Sequence, residues 1–408
     1  MANPLHILMV IPALPVGGAE WAFVRLANAL ATDHRVTAYV PYRCDSSPGV
    51  INSLKNVAVR SLPLPHSLLH SLLYKLTLLL NRVAPSYDLE QQIHSWVLRS
   101  MHRIGQFDVI NPHLRSAAVM VCKAFEDPTV PIVEHDHGDY ALFRSEGNHP
   151  EGLSLLMKRI DAVVCPSRHN SKLLSTFPWH LDFQCTIIPN SMPAAIMAAP
   201  RTDPTFTFGM VARGMKEKGW AEAIAAFRLA RHQTPKPMRL VLVGGGDHLK
   251  HLKQTVAGDE PVVFTGCLEN PAVQISGFDV GLLPSYFAAE SLPCAIIEYL
   301  TLGKPVIATV VGGIPDMLES PEGPCGILVP LEPATGRADV MALAQAMTLL
   351  AQDDTLRQTM AVCASKASLC YDAFTCARAC ADFFRRTQAR LQLAAAPANR
   401  LADTLNVI

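Results

Sequence analysis

Short apolar runs of strand length alternate with helical segments along most of the chain, and this alternation restricts the fold more than any other feature. In the first half, strand-like runs lie at 6–12, 35–41, 56–62, 108–113, 131–137 and 162–167. A second series lies at 206–212, 239–245, 262–266, 280–284 and 326–330. Such alternation is typical of parallel sheets covered by helices on both faces. The pattern predicts an α/β chain with two doubly wound, Rossmann-like domains.

The chain has 408 residues, which is too long for most single hydrophobic cores. The segment 188–205 is rich in proline and alanine and has no clear period, so it is the best candidate for a linker. The predicted divisions are an N-terminal domain, a linker, a C-terminal domain, and a final helix with a tail, at 1–190, 191–204, 205–366 and 367–408.

The composition excludes several classes of protein. A formal net charge of zero and 17% charged residues give no general attraction to nucleic acid. The eleven cysteines are scattered and lack paired C-x2-C spacing, which favours buried thiols in a reducing compartment over a zinc site. The N-terminus lacks the basic lead of a signal peptide, and no apolar stretch approaches twenty residues. We therefore expect a cytoplasmic protein without a transmembrane helix.

The stretch 278–298, FDVGLLPSYFAAESLPCAIIE, carries the strongest functional pattern. An apolar strand leads into a polar loop, and a helix is predicted to follow, with Ser291 as its N-cap. Leu292 and its neighbours would then present free backbone N–H groups, which attract phosphate. Glu290 lies in the loop and Glu298 in the helix, roughly 10 Å apart along a helical rise. This distance is about the span of a diphosphate with a sugar at each end.

Carboxylates hydrogen-bond sugar hydroxyls well, so the stretch predicts a nucleotide-sugar site with ribose on Glu298 and hexose near Glu290. The alternative is a buried strand, a surface loop and a helix with an exposed glutamate. Residues 299–318 favour the site, because they complete a βαβα unit with a glycine-rich turn at 312–313. Ligands of such units lie at the carboxyl ends of the parallel strands.

This block resembles the retaining glycosyltransferases of family 4. The hallmark of that family is two glutamates separated by seven residues and followed by a Gly-Pro-Val-type strand, a pattern that Glu290, Glu298 and residues 303–308 match. The resemblance is strong from 206 to 320 and looser before 190. It implies the GT-B architecture, in which an acceptor-side domain and a nucleotide-sugar-binding domain face each other across a cleft. It also implies a last helix that crosses back to the first domain.

Two cations follow the strand-like run at 206–212. Arg213 and Lys218 lie in the turn before the next helix, and Gly214 follows the arginine. The sequence has no obvious Asp-x-Asp metal-binding motif. Two positive side chains there would neutralise a departing diphosphate without a metal ion. The resemblance assigns this role to the matching arginine and lysine of the family. Taken alone, the segment also fits a solvated basic loop.

Glycines at other strand ends complete the predicted donor site. Gly17 and Gly18 follow the first strand and open a helix, where small residues allow a ligand to approach the backbone closely. A tight strand-to-helix turn would require the same glycines. Gly244 starts a glycine-rich turn and Gly266 ends the next strand, and the resemblance places both near the nucleotide.

The segment VEHDHGD at 133–139 permits two interpretations. One is a metal cluster of His135, Asp136 and His137, with His113 as a further ligand. The resemblance implies instead that His137 contacts the donor hexose and steadies positive charge at the anomeric carbon. We favour the second interpretation and expect neither a metal ion nor a cofactor. A purely structural role for His137 is a further alternative.

The run HSLLHSLLYKLTLLLNRV at 66–83 combines leucines with His66, His70, Lys75 and Arg82. A basic, leucine-rich helix of this kind can lie on an anionic membrane surface. It can equally be a core helix whose cations reach solvent. Because family members that act on lipid-linked acceptors often dock on membranes, peripheral association is slightly favoured.

The sequence therefore predicts a retaining, metal-independent hexosyltransferase. It would take a sugar from a UDP- or GDP-sugar and pass it to a glycan or lipid-linked acceptor, in glycan, polysaccharide or glycolipid synthesis. The rivals are a GT-B-fold nucleotide-sugar epimerase and a metal-dependent hydrolase centred on His135, Asp136 and His137. Nucleic acid is not an expected partner.

Overall fold

The chain forms two compact units. The computed structural model describes residues 3–62, 68, 71–72, 76, 88–126, 130–138, 140–141, 156, 158–177, 184–193, 204–268 and 270–405. The first unit comprises Met1–Pro166, Ser171–Ile188 and Phe374–Ile408, and the second comprises Ser167–Asn170 and Pro189–Ala373. The second unit thus begins at Pro189 and runs past 366, where the sequence placed the end of the C-terminal domain.

The first unit is built on parallel strands. They are β1 (His6–Val10), β2 (Arg35–Tyr39), β3 (Ala58–Arg60), β4 (Val109–Pro112), β5 (Val133–His135), β6 (Ala162–Cys165) and β7 (Gln184–Ile187). Their order is β3-β2-β1-β4 in one sheet and β5-β6-β7 in another, and parallel bridges Ile110↔Ile132 and His113↔His135 join β4 to β5. The helices between the described strands are α1 (Gly18–Leu30), α2 (Pro48–Ile51), α3 (Leu89–Gly105), α4 (Arg115–Ala124) and α5 (Arg168–Leu174). The chain order reverses between β1 and β4, which marks a topological switch point.

The second unit repeats this design. Its main sheet contains β8 (Phe206–Val211), β9 (Met238–Val243), β10 (Val262–Gly266), β11 (Val280–Leu283), β12 (Val306–Thr309) and a last strand, β15 (Gly326–Val329), which follows the short hairpin β13 (Glu319–Ser320) and β14 (Gly323–Pro324). The order is β10-β9-β8-β11-β12-β15, with every pairing in this sheet parallel. The helices are α6 (Trp220–Gln233), α7 (Asp247–Gln254), α8 (Ala272–Ser276), α9 (Cys294–Thr301), α10 (Ile314–Leu318), α11 (Val340–Gln352) and α12 (Asp354–Ala367). The switch point lies between β8 and β11.

Both faces of the second sheet are covered by helices. Along β9, Leu240 and Leu242 pack into one hydrophobic core, and Val241 and Val243 pack into the other. Successive side chains of a strand point to opposite faces, so a strand that is apolar at every position must be buried on both sides. The predicted α/β fold with two doubly wound sheets is confirmed.

The C-terminal segment differs from its prediction. The sequence indicated a final helix with a tail over 367–408, but α12 ends at Ala367, a short 3-10 turn covers Ser368–Tyr371, and a new helix, α13, spans Ala373–Leu405. The break occurs because Asp372 is extended (φ −55°, ψ 129°) and the carbonyl of Tyr371 accepts a hydrogen bond from Met192 N at 2.7 Å. Helix α13 belongs to the first unit, where Gln388 Nε2 donates to Asp108 Oδ1 at 3.2 Å.

Most predicted strands coincide with observed ones within two or three residues, whereas β7 and the β13–β14 hairpin were not predicted. Among the helices of the described residues, none is both long enough and apolar enough to cross a bilayer. His66, His70, Lys75 and Arg82 of the basic segment lie outside the described residues, as does Asp139.

Candidate functional site

Three loops of the second unit meet at the carboxyl edge of neighbouring strands. They follow β8, β11 and β12, which are adjacent in the sheet. The loops contain Lys218, Glu290 and Gly312, respectively. This edge, at the switch point of a doubly wound sheet, is the place where such folds bind ligands.

Lys218 and Glu290 form a buried ion pair. Lys218 Nζ lies 2.6 Å from Glu290 Oε2, and the two residues are 7% and 6% exposed. Ser285 Oγ donates to the same carboxylate oxygen at 2.6 Å. The Lys218 ammonium also lies 4.8 Å from the centre of the Phe287 ring. The sequence placed this lysine on the diphosphate and this glutamate on the sugar, and the structure brings the two side chains into direct contact.

Backbone contacts hold the β8 and β11 loops together. The carbonyl of Glu217 accepts a hydrogen bond from Tyr286 N at 2.8 Å, and Ser285 Oγ lies 3.3 Å from the same carbonyl oxygen. Gly219 has a φ of +82°, and a Cβ at this position would lie 2.0 Å from the Pro284 carbonyl oxygen. Only glycine allows this approach at a left-handed φ, so the Lys218–Glu290 pair rests on a fixed backbone.

The β12 loop packs against the backbone of Glu290. Gly312 has a φ of +57°, and a Cβ on it would lie 1.5 Å from the backbone oxygen of Glu290. Its neighbour Gly313 donates its N–H to the Ser291 carbonyl at 3.0 Å. The glycine-rich turn predicted at 312–313 is therefore a packing surface for the β11 loop.

The start of α9 differs from the prediction. The helix begins at Cys294 with Pro293 as its N-cap, because Pro293 is extended (φ −64°, ψ 119°). Ser291 is not the cap, and its hydroxyl instead donates to Asn170 Oδ1 at 2.9 Å. Leu292 also precedes the helix, and its carbonyl accepts from Asn190 Nδ2 at 3.1 Å. The residues between Glu290 and Cys294 are therefore not helical, so the spacing of Glu290 and Glu298 does not follow from a helical rise over the whole segment.

Glu298 is half-buried on α9. The next residue, Tyr299, fixes this helix against the sheet: its hydroxyl accepts from Val211 N at 2.7 Å and donates to the Leu282 carbonyl at 3.3 Å. Burial raises the pKa of Tyr299 well above its ordinary value, so the hydroxyl stays neutral. Glu298 is thus carried by a helix that is anchored at the ends of β8 and β11.

The remaining predicted donor-binding residues of the second unit lie in the loops after β8, β9 and β10. Arg213 is exposed, and its carbonyl accepts from Trp220 Nε1 at 3.0 Å. Gly214 N donates to the Gly245 carbonyl at 2.8 Å, and Gly244 N donates to the Gly266 carbonyl at 3.0 Å. Backbone contacts between these loops leave no room for a side chain at Gly214 or Gly244. A Cβ on Gly266, in contrast, would meet nothing within 4 Å.

In the first unit, Gly17 and Gly18 follow β1 as predicted. Gly18 begins α1 and Gly17 is its N-cap, with extended backbone. A Cβ on Gly17 would lie 2.2 Å from a carboxylate oxygen of Glu20, so this glycine makes room for the first-turn glutamate.

His137 lies after β5 within a cluster of three histidines. The ring centre of His113 is 4.7 Å from that of His135 and 5.2 Å from that of His137, and His113 Nδ1 lies 3.0 Å from His137 Nε2. Burial lowers the pKa of His113 and His135 well below the ordinary value and lowers that of His137 to about 4. All three rings are therefore neutral at pH 7. Within the described ranges, His, Cys, Asp and Glu side chains form no group of three or more arranged to hold a metal ion.

The sequence interpretation missed three residues that contact the predicted site. Ser285 and Phe287 surround the Lys218–Glu290 pair, and Asn111 accepts a hydrogen bond from His113 at 2.9 Å. The sequence could have indicated Asn111, because it is a polar residue inside an apolar strand. Ser285 and Phe287 carried none, since polar and aromatic residues are ordinary in a loop.

Two family models match the chain. The one described as Glycosyltransferase Family 4 matches residues 16–193, and the one described as Glycosyl transferases group 1 matches residues 205–353. Together they cover both units.

Characterised relatives match shorter segments. The N-acetyl-alpha-D-glucosaminyl L-malate synthase of Bacillus anthracis is 32% identical over 148 residues, which is 36% of each chain. The sulfoquinovosyl transferase of Arabidopsis thaliana is 34% identical over 93 residues, 22% of this chain and 18% of the relative. The matched segments thus span about a third or less of the relatives' own lengths.

Solved structures show the same fold over nearly the whole chain. Anabaena HepE, solved with UDP and glucose, superposes with a TM-score of 0.72 at 20% identity, covering 93% of this chain and 99% of that one. Sucrose-phosphate synthase from Thermosynechococcus elongatus superposes with a TM-score of 0.70 at 19% identity, covering 95% and 100%. These likenesses show the GT-B fold, and the two family matches, which together cover most of the chain, identify it as a member of the family 4 glycosyltransferases.

Proposed function

We propose that this protein transfers a hexose-type sugar from a nucleoside-diphosphate sugar to an acceptor hydroxyl, with retention of the anomeric configuration. The observation that carries the proposal is the buried Lys218–Glu290 pair at the carboxyl edge of β8 and β11. That edge is where doubly wound sheets bind nucleotides. HepE, which has the same fold, was solved with UDP-glucose, and this supports a nucleotide-sugar as the donor.

The charges of the second unit suit a sugar diphosphate. In the proposed complex, Lys218 and the exposed Arg213 neutralise the departing diphosphate, because cations with charge-assisted hydrogen bonds stabilise such leaving groups strongly. Glu290 positions the hexose, and Glu298 on the anchored α9 binds the ribose hydroxyls. The base is proposed to lie near the glycine-rich loops after β9 and β10.

The proposed transfer does not need a nucleophile from the protein. The bond between the anomeric carbon and the phosphate oxygen breaks, and a bond to the acceptor oxygen forms on the same face of the sugar. The acceptor proton passes to the departing phosphate. His137 is proposed to contact the donor sugar from the first unit. Because the two cations supply the charge compensation, the reaction is proposed to need no metal ion.

A lipid-linked acceptor is proposed because of exposed apolar and cationic groups on the first unit. Leu68, Leu72 and Leu76 are each helical and exposed. On α3, Trp96 is 70% exposed, and Arg99 and Arg103 are exposed at positions on the same face. Aromatic and cationic side chains of this kind suit an anionic membrane surface.

A panel of nucleotide-sugars tests the donor assignment. Binding to the folded chain raises its melting temperature, so a matching UDP- or GDP-sugar will give the largest shift. The same donor with added EDTA and an acceptor will yield a product whose anomeric configuration is read by NMR. Conversion of the donor without an acceptor would instead favour the epimerase, and loss of activity with EDTA would contradict metal independence.

A further inference from the structure

Two cysteines of the first unit lie with their sulfur atoms almost in contact. Cys165 is the last residue of β6 and Cys185 lies on the neighbouring strand β7, and their Sγ atoms are 3.3 Å apart. Cys185 is paired with Val163, two residues before Cys165. Since alternate residues of a strand share a face, both sulfurs lie on the same side of the sheet. A disulfide, with its sulfurs about 2.05 Å apart, therefore requires a shift of only about 1 Å.

The two thiols differ in their exposure to solvent. Cys165 is fully buried in a hydrophobic core, where a thiolate would lose its hydration, whereas Cys185 is exposed. The hydrogen bond between the sulfurs lowers the pKa of Cys185 below its ordinary value, and the same bond together with burial raises the pKa of Cys165. Cys185 is therefore the thiol that ionises and meets an oxidant, and Cys165 is held next to it as a second thiol.

Both cysteines adjoin the start of α5. Ser167 follows Cys165 by two residues, and Ser171, on α5, has its Oγ 3.7 Å from Cys185 Sγ. The segment 167–171 is thus connected to one sulfur through the chain and to the other through a side-chain contact. Because a disulfide shifts both sulfurs, it disturbs this segment at both ends.

The segment 167–171 in turn contacts the β11 loop. Asn170 is buried, and its Oδ1 accepts hydrogen bonds from Ser167 Oγ at 2.6 Å and from Ser291 Oγ at 2.9 Å. Ser291 directly follows Glu290, whose carboxylate belongs to the buried ion pair. Displacement of Asn170 therefore reaches the ion pair through one hydrogen bond and one residue of the chain.

We propose that Cys165 and Cys185 are a redox modification site, which a hydroperoxide converts reversibly to a disulfide. The disulfide slows sugar transfer, because it weakens the contact between Asn170 and Ser291. The modification itself depends only on the positions and exposure of the two sulfurs, whereas its effect on transfer rests on the proposed function.

The oxidation takes place in two steps. The Cys185 thiolate attacks one oxygen of the peroxide, the O–O bond breaks, and the released hydroxide or alkoxide takes up a proton from solvent. The Cys165 sulfur then attacks the sulfur of the Cys185 sulfenic acid, and the departing hydroxide takes the Cys165 proton and leaves as water. The two thiols lose two electrons in total, and the peroxide gains them. A small thiol reverses the reaction by exchange and is itself oxidised to its disulfide.

Peptide mapping of the full chain detects the modification without any activity measurement. After treatment with hydrogen peroxide and non-reducing digestion, mass spectrometry will show the Cys165 and Cys185 peptides joined and lighter by two hydrogen atoms, and dithiothreitol will separate them. Cys185→Ser will give no joined peptide. Cys267→Ser removes an exposed cysteine of the second unit and will give the joined peptide as the wild type does. Oxidation of Cys267 in a wild-type chain that forms no Cys165–Cys185 disulfide would overturn the proposal.

A sulfenic-acid probe tests which thiol reacts first. In Cys165→Ala the second thiol is missing, so a dimedone probe will label Cys185 after peroxide treatment. In Cys185→Ser, Cys165 will stay unlabelled because it is buried. If Cys165→Ala does not fold, the probe is added to the wild type during oxidation, where it will label Cys185 and reduce formation of the disulfide. Label on Cys165 instead of Cys185 would overturn the assigned roles of the two thiols.

Turnover of the reduced and oxidised chains supplies the last measurement. In the wild type and in Cys267→Ser, formation of the disulfide will lower kcat about fivefold, as expected for loss of one hydrogen bond, and dithiothreitol will restore it. Cys185→Ser will keep its kcat after the same treatment. Complete formation of the disulfide with an unchanged kcat would overturn the effect on transfer. Absence of sugar transfer by the reduced wild type would instead contradict the proposed function and leave the modification site standing.

Discussion

Lys218 Nζ and Glu290 Oε2 lie 2.6 Å apart with both side chains buried. The cation assigned to the diphosphate is therefore already neutralised by the acid assigned to the sugar. A buried ion pair gives little net stability, but removal of one partner leaves an uncompensated buried charge. A bound diphosphate must share or replace the carboxylate as the partner of Lys218.

Lys218→Met will destabilise the chain by about 3–5 kcal/mol, because Glu290 remains buried without its cation. Adding Glu290→Gln removes that charge as well and will restore most of the lost stability. Both variants will lack transferase activity. Urea unfolding and donor turnover provide the two measurements. If the single variant proves as stable as the double variant, the pair is not the buried, coupled unit described here.

Gly312→Ala will reduce turnover, because its Cβ would lie 1.5 Å from the backbone oxygen of Glu290 and must displace that loop. Gly336→Ala is the matched control: its φ is +67°, and a Cβ there meets nothing within 4 Å. Both variants carry the cost of a left-handed alanine, about 1–2 kcal/mol. Only Gly312→Ala will also lower kcat. Equal turnover in the two variants, measured at saturating donor, would show that this turn does not position Glu290.

Arg213→Ala will weaken donor binding without weakening the fold. The side chain is exposed, so unfolding stability will change by less than about 0.5 kcal/mol. Loss of one charge-assisted contact to the diphosphate will raise the KM for the donor about tenfold. Lys216→Ala removes another exposed cation from the same loop and serves as the control. Similar KM values for the two variants would assign the effect to general charge instead of a specific contact.

The sequence predicted the parallel strands well, because a strand buried on both faces is apolar at every position and its run is unmistakable. The β7 strand escaped prediction, since its residues Gln184–Ile187 are mostly exposed and lack that pattern. The break at Asp372 was also missed, because the helical pattern of the chain is continuous through it. A hydrogen bond to the distant Met192 marks that position, and local pattern contains no such information.

The functional site, like the fold, was predicted only in part. The glutamate spacing and the cation loop located Glu290, Lys218 and Arg213 correctly at strand ends. The Ser291 cap was wrong because local preference for a serine cap was outweighed by a contact with Asn170, 121 residues earlier. Pairing of Lys218 with Glu290 was likewise invisible in the sequence, since it depends on which strands are neighbours in the sheet.

Trp96→Ala will weaken binding to vesicles that contain an anionic phospholipid. The tryptophan is 70% exposed beside Arg99 and Arg103, so insertion of its ring and attraction of the arginines act together. Vesicles of phosphatidylcholine alone will bind less, because each arginine contributes about 1 kcal/mol at an anionic surface. Val273→Ala changes an equally exposed apolar residue of the second unit and will leave co-sedimentation unchanged. Binding that is insensitive to Trp96→Ala would exclude this face.

His135→Phe will reduce the loss of stability at acid pH. His135 is buried, its Nδ1 has no hydrogen-bond partner among the described residues, and burial lowers its pKa well below the ordinary value of 6.5. The unfolded chain therefore binds a proton that the folded chain does not, so stability is complete above pH 6.5 and falls as the pH drops below it. Each such histidine contributes a slope of up to about 1.4 kcal/mol per pH unit. Phenylalanine preserves the stacked ring and removes this proton.

The measurement is urea unfolding between pH 7 and pH 5. The decline in unfolding free energy will be shallower for His135→Phe than for the wild type, and stability at pH 7 will not fall, since the variant also removes an unpaired buried nitrogen. His232→Gln replaces an exposed histidine of the second unit and will retain the wild-type slope. Parallel pH curves for all three proteins would mean that burial does not lower the pKa of His135 in the folded chain.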